Sequence, residues 1–313
     1  MKFYFAPMEG ITGYIYRQLH GTFFKGVDKY FTPFLATNQQ GKFSTRELQD
    51  ILPEHNKGLY VVPQILSNHA VDFLCTAHQL EAMGYEEINL NLGCPSGTVV
   101  AKKKGSGFLA YPEELEVFLD TIFSQTSMKI SIKTRVGKEN SEEFNGLLEI
   151  FNKYPLEELI IHPRLQKDYY KNKPNWELFQ RGLTHSSRPV GYNGDIFTLQ
   201  DYTVLKEAFP QLECVMLGRG LIRNPGFVGE ITKGELLDKQ VLKAFHDQLY
   251  EAYQEVLFGE RNVLFRMKEL WFYMLPLFDT FDKYGKKIKK AQHLKEYEEA
   301  VSSLFAEQEL RTY

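Results

Sequence analysis

A chain of 313 residues carries 37 lysines and arginines against 40 aspartates and glutamates, a net charge of −3. With 43% hydrophobic and 25% charged residues, 23 glycines and 13 prolines, it belongs to neither the collagen-like nor the low-complexity class. Its overall charge gives no sign of a nucleic-acid partner, so any such site has to be a local patch. Three cysteines (Cys75, Cys94, Cys214) without CxxC spacing argue against a disulfide scaffold or zinc site and favour a reducing compartment. No apolar run reaches the ~18 residues of a membrane span. The opening MKFYFAPMEG, with Pro7 and Glu9, is no signal peptide, and a soluble cytoplasmic protein is expected.

In chain order, short β-branched or aromatic runs read as strands at 2–6, 29–34, 59–65, 87–91, 129–134, 158–162, 189–192 and 213–217. Amphipathic segments lie between them, among them 70–83, 112–124, 142–153 and 199–208. In the first of these, Phe73, Leu74, Ala77, Leu80 and Met83 recur at three- and four-residue steps and build one apolar stripe. Gly84, Pro155 and Pro210 stand where helices should stop. Strand–helix alternation implies parallel strands, and eight such units in about 235 residues match a closed (β/α)8 TIM barrel better than an open doubly wound sheet. After Gly234 the strand signal ends. Apolar positions such as Leu242, Phe245, Leu249, Tyr253, Val256 and Leu257 recur at helical spacing, and no Pro/Ser/Gly linker intervenes. The expected architecture is an α/β barrel over 1–235 followed by a small all-helical domain over 236–313.

Reactive groups of a barrel sit at the C-terminal ends of its strands. Polar residues that fall there include Gln64, Asn89, Asn91, Lys133, Arg135, His162, Arg164, Asn193, Asp195 and Arg219. The last two strands run into Gly191-Tyr-Asn-Gly-Asp195 and Gly218-Arg-Gly220, glycine-rich turns that either cradle a phosphate on backbone N–H groups or are merely tight. Cys94, between Gly93 and Pro95 after the fourth strand, is on pattern alone equally a buried filler or a thiol that donates a proton or attacks. Cys75 and Cys214, inside helix-like and strand-like runs, read as core. Lys102, Lys103 and Lys104 form a basic loop that either meets an anion or is simply solvated. Six lysines and no acid between 283 and 295 make a patch with the same two readings.

Taken together, the motifs are recognisable. Ala6-Pro-Met-Glu-Gly10, Gln64, Asn89-Leu-Asn-Leu-Gly-Cys-Pro95, Lys102-Lys-Lys-Gly-Ser-Gly107, Ile132-Lys-Thr-Arg135, His162-Pro-Arg164, Asn193-Gly-Asp195 and Gly218-Arg-Gly220 resemble, in order and end to end, the tRNA-dihydrouridine synthases. The resemblance implies an FMN-bearing barrel followed by a helical tRNA-binding domain, with NADPH as reductant. It places Pro7, Met8 and Glu9 along the flavin ring, with Gln64 as a hydrogen-bonding partner and Lys133 and His162 beside it. Asn193, Gly194, Asp195, Gly218 and Arg219 fall at phosphate and ribityl contacts. Cys94 becomes the general acid that protonates C5 of a uridine while reduced FMN delivers a hydride from N5 to C6. Asn91 and Arg164 read the edge of the base, which must be turned out of its stack. Lys102–Lys104 and Lys286, Lys287, Lys289 and Lys290 are expected against tRNA phosphates. No metal, membrane or obligate protein partner is implied, a monomer suffices, and no GxGxxG fingerprint marks a Rossmann site for NADPH. Other readings of the same residues are a Schiff-base lyase built on Lys133, a catalytically idle tRNA-binding protein, and a flavin dehydrogenase for a small pyrimidine.

Overall fold

The computed structural model of the chain describes residues 1–36 and 41–311. Ten segments, β1 (Lys2–Phe5), β2 (Lys29–Phe31), β3 (Leu35–Ala36), β4 (Val61–Val62), β5 (Gln64–Leu66), β6 (Glu87–Leu92), β7 (Lys129–Arg135), β8 (Leu159–His162), β9 (Val190–Tyr192) and β10 (Cys214–Leu217), form one sheet. The order is β3-β5-β6-β7-β8-β9-β10-β1-β2-β4, and every pairing is parallel. β2 and β3 are halves of one stave interrupted around Pro33, and β4 and β5 halves of the next, interrupted at Pro63. Proline has no N–H to give to a ladder, so each stave breaks there and resumes. The same two staves therefore appear at both ends of the sheet order. The ten segments are eight staves closed into the expected barrel.

Helix Ala70–Ala82 buries Phe73, Leu74, Ala77 and Leu80, the stripe its periodicity announces. Cys75 corrects the expectation of a core cysteine: it lies off that stripe and is exposed, whereas Cys214 is buried. Inside the barrel, Tyr4, Ala6, Phe31, Val62, Ile160, Cys214 and Met216 form an apolar layer. A charged floor lies beneath it. Lys29 Nζ donates to Glu87 Oε2 and to Glu158 Oε1, both at 2.7 Å, and the Tyr4 hydroxyl donates to Glu158 Oε2 at 2.8 Å. Burial opposes the Lys29 charge, but the two carboxylates outweigh it and hold the ammonium above its ordinary range. Burial also raises Glu87, against the pull of Lys29.

The chain divides into two compact units. The first holds residues 1–7, 28–195 and 206–217, and with them the barrel staves; the second holds 8–27, 196–205 and 218–313. Within the second unit, helix Tyr14–Phe23 packs on helix Lys239–Val256, where Phe245 meets Tyr16, Phe23 and Phe24 edge-on at 5.5, 5.8 and 5.2 Å. Leu242, Leu249 and Tyr253 are buried as expected from their spacing, but Val256 is exposed. Trp271 on helix Glu260–Met274 donates to the Tyr297 hydroxyl of helix Leu294–Glu307 at 2.8 Å, and His246 meets the same oxygen at 2.6 Å. No helix among the described residues is long and apolar enough to cross a membrane, and no group of side chains among them could hold a metal ion.

Candidate active site

The inward side chains of β5, β6 and β7 are tied into a single file of hydrogen bonds. Ser131 Oγ donates to Glu87 Oε1 (3.0 Å), and Asn89 Nδ2 to Ser131 Oγ (3.0 Å). Gln64 Nε2 then donates to Asn89 Oδ1 (2.8 Å), and Asn91 Nδ2 to Gln64 Oε1 (2.7 Å). The backbone N–H groups of Gly93 and Cys94 close the file on Asn91 Oδ1 at 3.0 and 2.9 Å. Every donor points toward the ionisable floor and every acceptor toward the mouth, so successive dipoles reinforce one another. Pairing of β5 with β6 at Gln64 and Asn89, and of β6 with β7 at Asn89 and Ser131, puts these groups on one face.

Cys94 is half-buried on the loop that follows β6. Its carbonyl accepts from the Ser106 hydroxyl at 2.7 Å and the Ser106 N–H at 3.1 Å, so the loop is held on both sides of the thiol. Gly105 has φ +57°, and a Cβ there would stand 2.8 Å from the Cys94 carbonyl oxygen. Only glycine lets the lysine–glycine–serine–glycine segment close on the cysteine loop.

Lys133 faces Asn91 in the β6–β7 register and shares the inward face of Ser131. Among the described residues its ammonium makes no hydrogen bond or ion pair. Burial, with the like charge of Arg135 added, pulls it down to about 7, partly offset by Cys94. Arg135 is buried and spends its guanidinium on three carbonyls: Gly93 at 3.0 Å, Leu165 at 2.8 Å and Tyr169 at 2.9 Å. It joins the cysteine loop to the loop after β8. In the sequence Arg135 stands at a strand end and closes the motif Ile132-Lys-Thr-Arg135, but its clamping role is silent there because carbonyl partners leave no side-chain pattern.

Arg164 forks onto Asp195, Nη1 to Oδ1 at 3.0 Å and Nη2 to Oδ2 at 2.5 Å, and Nε donates to the Asn172 carbonyl at 2.6 Å. Its Nη1 also donates to His162 Nε2 at 2.8 Å. A guanidinium accepts nothing, so in this contact Nε2 is the acceptor. Asn193 Nδ2 donates to the Met216 carbonyl at 2.8 Å. A Cβ at Gly194 would stand 2.1 Å from the Tyr192 hydroxyl oxygen, so the close packing of Tyr192 requires glycine in this turn.

Thus Gln64, Asn91, Cys94, Lys133, His162, Arg164, Asn193, Gly194 and Asp195 all lie at or just beyond the C-terminal ends of staves in the first unit, as does Pro7 after β1. On the loop after the cysteine, Lys102 and Lys103 are exposed. Lys103 pairs with Glu114 at 3.1 Å and lies 4.0 Å from the Tyr111 ring centroid, and burial lowers Lys104. In the second unit, Met8 N–H donates to Thr12 Oγ1 at 2.8 Å, Glu9 is exposed, and Gly218 precedes the short helix Arg219–Arg223, with the Arg219 guanidinium over the Phe197 ring. Lys286, Lys287, Lys289 and Lys290 are exposed on helix Asp282–Lys290, which buries Tyr284 and Ile288.

The profile of the dihydrouridine synthase family (Dus) matches residues 4–311. The probable tRNA-dihydrouridine synthase of Staphylococcus aureus is 29% identical over 266 residues, covering 81% of this chain and 78% of its own. The tRNA-dihydrouridine(16) synthase of Aquipseudomonas alcaligenes is 28% identical over 246 residues, covering 74% and 75%. Among solved structures, the old yellow enzyme homologue NCR from Zymomonas mobilis superposes with a TM-score of 0.53 at 10% identity, covering 78% of this chain and 92% of that one. Morphinone reductase in complex with tetrahydroNAD gives 0.51 at 11%, covering 76% and 88%. At these identities the two structures bear on the fold alone.

Proposed function

The chain belongs to the dihydrouridine synthase family of oxidoreductases, and from that premise we propose that it reduces a uridine of the tRNA D-loop to 5,6-dihydrouridine in the cytoplasm, with FMN as resident cofactor and NADPH as reductant. The observation that carries the reading is Cys94: a half-buried thiol, on a loop pinned by Asn91 and Ser106, within electrostatic reach of Lys133, which makes no hydrogen bond or ion pair among the described residues.

The residues fit the cofactor. Among the described residues the inward Lys133 makes no hydrogen bond, and its charged form suits an anionic ring; a glycine turn such as that at Gly194 suits a phosphate. Gln64, after its bonds to Asn89 and Asn91, keeps one N–H and one lone pair for the ring edge. Pro7, Met8 and Glu9 are assigned to the ring, His162 to its side, and Asn193, Gly194, Asp195, Gly218 and Arg219 to the ribityl and phosphate groups. When bound and reduced by NADPH, FMN supplies a hydride from N5 to C6 of the uracil. Cys94 Sγ holds the proton that C5 takes up; the thiolate left behind regains one from solvent. Lys133 in its charged form sets a positive charge beside the ring. Asn91 and Arg164 each keep an N–H beyond those bonded within the protein and are assigned to the uracil edge.

On this reading 1–235 is the catalytic region and 236–313 the tRNA-binding region, with Lys102–Lys104 and Lys286, Lys287, Lys289 and Lys290 against phosphates. The test is purified protein, NADPH and tRNA from a strain lacking this gene, with dihydrouridine mapped by position. Yellow protein and one restored D-loop position are expected. A colourless protein that takes up no added FMN, or tRNA left unreduced, overturns the proposal.

A further inference from the structure

Helix Glu260–Met274 buries Val263, Leu264, Met267, Leu270, Trp271 and Met274, yet also carries Phe265 and Phe272, 71% and 74% exposed. Seven residues apart, they stand two turns from each other along one outer stripe. Phe258, on the turn before the helix, is 95% exposed. Single exposed apolar side chains need no explanation, but large aromatic rings aligned along one helix face do.

What borders the stripe identifies its occupant. Lys268, three residues from Phe265 and four from Phe272, donates its ammonium to the carbonyl of Ala291, just past the end of the lysine helix Asp282–Lys290. A Cβ on Gly285 would lie 2.9 Å from Leu275 Cδ1, and His293 Nδ1 lies 3.3 Å from Glu260 Oε2. The lysine helix therefore runs antiparallel beside the aromatic one, and its exposed Lys286, Lys287, Lys289 and Lys290 flank the same region of the second unit. Exposed aromatic faces on one helix with a lysine-rich helix beside it, and with the one acid bordering the stripe, Glu269, paired to Arg266, match folded RNA, whose exposed bases stack while the neighbouring phosphates pair. A second copy of this chain is the competing occupant, and it is distinguished by oligomeric state.

We propose that Phe265 and Phe272, with Phe258 at their edge, form a base-stacking platform on which tRNA docks, the lysine helix holding the adjacent backbone. This rests on tRNA being the substrate. The test is binding of an unmodified tRNA transcript by the full-length protein across a salt series, with sedimentation and dihydrouridine formation alongside. The double variant F265A/F272A, at exposed positions where the fold loses little, should bind at least about tenfold more weakly at every salt concentration. Its salt slope should be unchanged, because stacking releases no counterions, and turnover at saturating tRNA should be kept. F265W/F272W should restore affinity. Charge reversal at Lys286, Lys287, Lys289 and Lys290 should instead reduce the slope by about one unit per lost phosphate contact. Wild-type affinity in F265A/F272A overturns the platform, as does an altered oligomeric state with tRNA affinity intact. Wild-type protein that neither binds the transcript nor forms dihydrouridine overturns the function itself, a distinguishable result.

Discussion

The carboxamide oxygen of Asn91 accepts the backbone N–H of Cys94 at 2.9 Å while the nitrogen of the same carboxamide donates to Gln64 at 2.7 Å. Asn91 thus serves as an acceptor toward the cysteine loop and a donor toward the barrel interior. Aspartate keeps the first role and loses the second. In Asn91→Asp, Gln64 Oε1 faces a carboxylate, and the glutamine has to turn over, reversing its bond to Asn89. Stability should fall by about 1 kcal/mol, the net worth of one such bond, whereas turnover should fall much further because the Gln64 atoms offered to the ring exchange places. Urea unfolding and single-turnover rates measured together decide this; equal proportional losses would show that the file does not orient Gln64.

Cys94→Ala removes the proposed proton donor without touching Asn91, Ser106 or the barrel. Single-turnover uridine reduction should slow by about 10²–10⁴-fold, the usual contribution of a positioned acid. FMN retention, FMN reduction by NADPH and tRNA affinity should stay at wild-type values. Undiminished uridine reduction in this variant would take the thiol out of the mechanism.

The staves were legible because parallel barrel strands are short apolar runs between helical stripes, and each of the eight expected runs overlaps an observed stave. Their interruptions were less so: Pro33 and Pro63 stand in plain view, but an apolar run reads through them, and only ladder geometry shows where pairing resumes. Cys75 was misread since helix periodicity locates the buried stripe without forbidding a small apolar residue beside it. The positions of Gln64, Asn91, Cys94 and Lys133 at strand ends could be read directly. The fork from Arg164 to Asp195 could not, because it spans 31 residues between adjacent staves and has no local signature. The Arg135 clamp on three carbonyls was equally silent, since backbone acceptors are the same at every position.

Lys133 gives the flavin-free protein a distinctive pH dependence. Its folded value of about 7 lies below the ordinary lysine value of 10.5. Between those limits the unfolded chain holds a proton that the folded chain has shed, so stability rises with pH across the window and carries its full penalty below about 7. Lys133→Met has no such component. The wild-type curve of unfolding free energy against pH should therefore climb toward the variant's between about pH 7 and about pH 10. Curves that stay parallel over that range would mean that the lysine is charged throughout.

Lys29 bridges Glu87 and Glu158 on the barrel floor, with only 14% of its side chain exposed and 1% and 7% of theirs. Replacing it by methionine leaves two buried carboxylates without their cation. Removing one partner of a buried ionic cluster costs about 3–5 kcal/mol, far more than an exposed pair. Burial raises Glu87 even with the lysine in place, so in Lys29→Met the deficit should be full near neutral pH and shrink as acid protonates that carboxylate. The second change Glu158→Gln should recover part of the loss by removing one negative charge. Glu87 also anchors the file that ends at Cys94, so FMN retention and turnover should weaken with the floor although both are assigned to the opposite end of the barrel. Urea midpoints of Lys29→Met and Lys29→Met/Glu158→Gln across the acid range measure the effect. A Lys29→Met midpoint equal to wild type at neutral pH would mean that water, not the lysine, carries the charge of the floor.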